Sequence, residues 1–130
     1  MATLNATLTL ASTDISSDTL SMTVTDSLTV VSPIVNISTI TATGTGNASI
    51  IVPSVDAPRY VYLKHTGLNS AGSSSGVDKV HVETADGTTI MELKLGEFAF
   101  FPYYAEGAGL IQLEVSANTV QVEYAFFTKG

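Results

Sequence analysis

Apolar residues recur at every second position along most of this chain, and that period confines the backbone to extended strands. Leu4, Ala6, Leu8 and Leu10 alternate with Thr3, Asn5, Thr7 and Thr9. Leu20, Met22 and Val24 alternate with Ser21, Thr23 and Thr25, and Leu28 and Val30 keep the same parity. The pattern returns in Val80 and Val82, in Met91 and Leu93, in Ile111, Leu113 and Val115, and in Val120, Val122, Tyr124 and Phe126. Successive side chains of a strand point to opposite faces, so each run offers one apolar face to a core or a partner. No segment carries the 3.6-residue period of a helix. Turn signals recur roughly every ten residues, as in antiparallel sandwiches and barrels. The expected fold is all-β: an antiparallel β-sandwich or small barrel, jelly-roll-like, with an extended N-terminal β arm.

Local punctuation divides these strands. Ser12 to Asp18 reads as a polar loop. Asp26, on an otherwise apolar parity, predicts a bend or bulge. Pro33 lacks an N–H and should end its strand; Val35 and Ile37 should begin the next. Thr43-Gly44-Thr45-Gly46-Asn47 reads as a turn or linker, which divides the chain into an arm, 1–45, and a compact domain, 46–130. Ser73-Ser74-Ser75 lies in a Gly/Ser-rich stretch, 66–76, expected to be a mobile surface loop. Asp86-Gly87 predicts a hairpin turn. Pro102 should end the strand that begins near Phe98.

Composition sharpens the division. Every aromatic and every Lys or Arg follows position 58, and before that the only charges are acidic. Aromatic rings carry large buried areas, so the second half is expected to build the core. An arm without them is expected to gain stability by binding neighbours. Its apolar residues Leu4, Leu8, Leu10, Leu20, Met22 and Val24 are candidate interface residues, joined by Phe101, Tyr103 and Tyr104 from the aromatic cluster.

Charge excludes some roles. A formal net charge of −7 disfavours nucleic acid and anionic membrane surfaces as partners. The absence of Cys excludes disulfides, thiolate metal sites and Cys nucleophiles. Neither a signal peptide nor a membrane span is visible in the sequence, so a soluble product made in a cytoplasm is expected. His81 and Glu83 share a strand face but stand beside Lys79, which repels a cation; they are expected to be solvated. His65 is expected at the surface of a strand end. Glu92, Glu114 and Glu123 occupy the polar parity of their strands, where solvated carboxylates belong. No nucleophile elbow or calcium loop is present. The expectation is a non-enzymatic protein with no cofactor and no metal.

The opening Met1-Ala2-Thr3-Leu4-Asn5-Ala6-Thr7-Leu8-Thr9-Leu10, Tyr60-Val61-Tyr62-Leu63-Lys64, Gly96-Glu97-Phe98-Ala99-Phe100-Phe101-Pro102 and the ending Val122-Glu123-Tyr124-Ala125-Phe126-Phe127-Thr128-Lys129 resemble small virion structural proteins of tailed bacteriophages, especially marine phages and cyanophages. The resemblance implies a virion location. It implies as partners other copies of the chain, as a homotrimer, and the major capsid protein or another virion protein. It implies a capsid decoration (cement) protein, or else a tail, fibre or baseplate component. A carbohydrate-binding sandwich using Tyr103 and Tyr104 as a stacking platform is the expectation from a different class.

Overall fold

Ten strands form two antiparallel sheets, and no helix occurs among the described residues of this computed structural model, which are 2–33, 37–44, 49–52, 57–106 and 109–130. The strands are β1 (Ala2–Ser12), β2 (Leu20–Pro33), β3 (Ser38–Thr43), β4 (Ser49–Val52), β5 (Ala57–His65), β6 (Val80–Glu83), β7 (Thr89–Leu93), β8 (Phe98–Ala105), β9 (Ile111–Val115) and β10 (Thr119–Lys129). One sheet runs β1-β2-β10-β5-β8, with β3 also on β10; the other runs β4-β9-β6-β7. Without the β1–β2 hairpin, the first sheet is β3-β10-β5-β8 and the second β4-β9-β6-β7. Numbered along the body, these are 1-8-3-6 and 2-7-4-5, the pairing of an eight-stranded jelly roll. The all-β antiparallel sandwich expected from the alternation is the observed fold.

The core lies between the two sheets and is aliphatic. Val61, Leu63, Val120 and Val122 from one sheet meet Val80, Val82, Ile111, Leu113 and Val115 from the other, all at 1% exposure or less. The apolar parities of β6, β7, β9 and β10 point inward as their alternation predicts, with Met91 and Tyr124 half-buried at the margin. The aromatic residues do not build this core. Phe126 alone among them is buried, while Phe101, Tyr103 and Tyr124 pack against the core's edge. Tyr60 and Tyr62 alternate with the buried Val61 and Leu63, so strand geometry turns their rings outward.

The arm is shorter than the expected 1–45. β1 and β2 pair without interruption from Ala2↔Val30 to Ser12↔Leu20, and the predicted bulge at Asp26 is absent: Asp26 sits opposite Ala6 in register. The bend comes instead at the hairpin's base, where the β2–β10 register shifts between Phe127↔Pro33 and Lys129↔Val30. β3 belongs to the body. It pairs with β10 from Thr43↔Thr119 to Ser38↔Tyr124, and Ala42 is fully buried in the core. Val35 lies outside the described residues. At Gly44 the chain crosses to the other sheet, bridging to Val115; a Cβ there would lie 2.6 Å from the Ala117 carbonyl oxygen, so only glycine fits.

Three further expectations change. His65 is fully buried rather than exposed, because it continues the inward parity of Val61 and Leu63. Its Nδ1 accepts the Gly67 N–H at 3.0 Å, so Nε2 carries the proton and donates to the Asp78 carbonyl at 3.0 Å. The Gly/Ser stretch is stapled rather than loose. The Asn69 side chain accepts from the N–H groups of Ala71 and Ser73, and Leu68 bridges to Ser74. β8 runs through Pro102 to Ala105. It is an edge strand, where a residue without an N–H leaves no ladder bond unmade.

The β6–β7 turn yields a pH prediction. Asp86 accepts from the Thr84 hydroxyl at 2.6 Å and from the Thr88 N–H at 3.0 Å, and Gly87 supplies the positive φ of 81°. These bonds, led by the Thr84 hydroxyl, hold the Asp86 carboxyl at about 2 against an ordinary 3.8. A depressed folded-state value stabilises above the unfolded value and is lost as pH falls through the folded one. The stability advantage of the parent over Asp86→Asn is therefore expected to hold above pH 4 and to vanish between about pH 4 and 2. Urea unfolding of both chains across that range checks it; a constant difference would assign the bonds no role.

Candidate functional site

The hairpin presents two chemically different faces. Thr7 pairs with Thr25 and Thr9 with Thr23 through hydroxyls 3.3 and 3.5 Å apart, and the Ser27 hydroxyl donates to Asn5 Oδ1 at 2.6 Å. The opposite face is aliphatic. Leu4, Leu8 and Leu10 stand directly across from Leu28, Val24 and Met22. Leu8, Leu10, Met22 and Val24 are 40–53% exposed, unusual for four neighbouring aliphatic residues. The hairpin meets the body chiefly through the end of β2 against β10. A two-stranded ribbon with nothing packed on it is marginally stable in water.

The body carries a second apolar surface on the same side of the same sheet. Register places Tyr60 opposite Phe127 and Pro102, and Tyr62 opposite Ala125 and Phe100. These side chains form an outward aromatic shelf across β10, β5 and β8. Tyr60 and Phe100 stack with ring centroids 6.0 Å apart and planes 13° from parallel. Lys129 Nζ lies 4.9 Å from the Tyr60 ring centroid, within range of a cation–π attraction. The Tyr62 hydroxyl donates to Glu123 Oε1 at 2.9 Å; burial first and Glu123 second raise its pKa above 10.0. Phe98 is 63% exposed and Phe100 41%.

Between ribbon and shelf lies a groove of about 1000 Å³. Leu4, Leu8, Val24 and Leu28 line one wall; Tyr60, Tyr62, Phe98 and Phe100 line the other. Its charged residues are Asp26 on the arm side and Lys129 on the shelf side, and Asn5 and Thr7 also line the arm side. A mostly apolar concavity of this kind can seat a flat apolar element or an apolar ligand.

The predicted interface residues divide accordingly. Leu4, Leu8 and Val24 line the groove, and Leu10, Leu20 and Met22 continue the same apolar parity toward the hairpin tip. Phe101 and Tyr103 pack against the core's edge and stack edge to face, with centroids 6.4 Å apart, and Phe101 also borders the groove. Tyr104 is 56% exposed on the opposite side. Tyr103 and Tyr104 are adjacent on one strand, so they cannot form a single stacking platform. Sequence reasoning missed Tyr60, Tyr62, Phe127 and Lys129. Their shared parity in β5 and β10 was the available signal.

The candidate polar residues scatter. His81 Nε2 on β6 and Lys79 Nζ, just before β6, both approach Glu92 on β7, at 3.3 and 3.1 Å, in a half-exposed cluster. Lys79 is the main reason the Glu92 carboxyl sits below its ordinary pKa. Glu83 is buried rather than solvated, because the β6–β7 register shifts at it; it accepts from Thr89 Oγ1 and Gln112 Nε2, each at 3.4 Å. Arg59 is also buried, its guanidinium 5.1 Å from the Phe126 ring centroid, and desolvation lowers its pKa. Among the described residues no three His, Asp or Glu side chains come together as a metal site.

No protein-family model, curated protein or solved structure matches this chain.

Proposed function

We propose that this chain is a non-enzymatic structural protein of a tailed-phage virion, a capsid decoration protein whose N-terminal hairpin anchors it to its neighbours. The observation that carries the assembly role is the β1–β2 ribbon, held at its base and exposing Leu8, Leu10, Met22 and Val24. Such a surface gains free energy when covered, at roughly 25 cal/mol per Å² of apolar area. The phage setting rests on the sequence resemblance. The jelly roll agrees with it by analogy, since capsid domains use that fold, as do lectins and cupins.

A protein that binds the assembled lattice and not its free subunits stabilises the lattice by linkage. Heads carrying the protein are expected to release DNA at a higher temperature than heads assembled without it. Thermal release followed by dye fluorescence, with the protein located by immunogold labelling, checks this. Identical release curves with label only on the tail would overturn the decoration reading in favour of a tail component.

A further inference from the structure

We propose that the occupant of the groove is the β1–β2 hairpin of a second copy of this chain, so that subunits assemble by exchanging arms. The inference deepens the assembly role above and takes its biological setting from that reading. Each subunit exposes both halves of one contact: an aliphatic ribbon and an aromatic shelf, on the same side of one sheet. Their charges are complementary. The arm's only charged residues are Asp14, Asp18 and Asp26. The shelf carries Lys129 over Tyr60, and Lys64 beside Phe98 in the register with Glu123 opposite it. Asp26, which lines the groove on the ribbon, can thus meet Lys129 of the other copy, even though two whole chains, at −7 each, repel.

Area decides between a second copy and an unrelated partner. The hairpin has eleven cross-strand pairs. At about 3.4 Å per residue and about 10 Å of width, that makes a ribbon roughly 35 Å long with about 350 Å² on one face. A stable interface needs about 800 Å² from each partner. One arm laid on one surface falls well short. In an exchange every subunit gives an arm and receives one, which doubles the contact to about 700 Å², and closed symmetry leaves no arm uncovered. A two-fold dimer meets this condition, because both arms share one contact; in a trimer each contact would hold a single arm.

Sedimentation of the full chain at tens of micromolar tests it. The expected mass is twice 13.6 kDa, and a three-chain mass would overturn the two-fold exchange. Leu8→Asp disables the arm and Phe98→Lys the shelf; each is expected to fall to the single-chain mass while keeping the parental circular dichroism. Mixed one to one, they are expected to reassociate, because the new Asp and Lys then face each other across subunits. Should Phe98→Lys fail to fold, Phe100→Lys reads the same shelf. A monomeric parent, variants that keep the parental mass, or a mixture that stays monomeric would each overturn the exchange. Binding to heads lacking the protein is measured separately. A monomer that still binds heads overturns the exchange alone; an arm-exchanged oligomer that binds no virion part overturns the virion reading alone.

Discussion

Leu113→Asp is expected to abolish the cooperative fold, whereas Val77→Asp is expected to leave the melting curve within about 0.5 kcal/mol of the parent. Both replace an aliphatic side chain with a carboxylate, so the difference isolates burial. Leu113 is fully buried at the centre of the second sheet, opposite Val82 on one side and Ser49 on the other. The buried cluster it belongs to is aliphatic apart from Phe126. Removing a buried leucine costs about 2–5 kcal/mol, and burying an unpaired carboxylate adds several more. Domains of this kind hold about 5–15 kcal/mol in all. Val77 is 92% exposed in the loop before β6. Circular dichroism melts of the two variants at pH 7 check the pair. A cooperative melt of Leu113→Asp near the parental temperature would mean that the inward and outward faces of β9 are reversed.

Much of the body was legible because its alternation is local. In β9 and β10 a glance at Ile111-Gln112-Leu113-Glu114-Val115 or Val120-Gln121-Val122 assigns each face, and the folded chain agrees. The aromatic residues misled because ring size was weighed above parity. Tyr60 and Tyr62 alternate with Val61 and Leu63, and only one set can face the core; the other sheet packs closely on the smaller aliphatic set. The same parity places His65 inward. Burying an imidazole needs both ring nitrogens satisfied, and its partners, Gly67 and Asp78, are brought to it by a loop whose course no local pattern encodes. β3 looked like arm because its Thr-rich alternation matches that of β1 and β2. What makes it body is pairing with β10, some eighty residues away in sequence. The aliphatic face of the arm was readable residue by residue. Its position beside an aromatic shelf was not, because that depends on β2 and β5 both pairing with β10.

Removing residues 1–28 is expected to leave a folded body that no longer assembles, whereas removing 1–45 is expected to destabilise the body by several kcal/mol. The two truncations separate the ribbon from the strand that follows it. Cutting after residue 28 keeps the hairpin's base, where Val30 is buried opposite Lys129 and Thr29 accepts the Gly130 N–H at 2.8 Å. What goes is a ribbon whose side chains are mostly exposed, so little core contact is lost. Cutting after residue 45 also removes β3. That strips six register partners from β10, opens the backbone beside the buried Val120 and Val122, and takes Ala42 and Ile40 from the core. Each buried group left without its hydrogen bond costs about 1–3 kcal/mol, so the total is a large fraction of the domain's stability. Urea unfolding of both truncations gives the stabilities, and sedimentation with head binding gives the assembly. Equal stability of the two would show that β3 contributes nothing to the sandwich. Full assembly after the shorter cut would show that the arm is not the anchoring element, and the proposed role for the hairpin would fall with it.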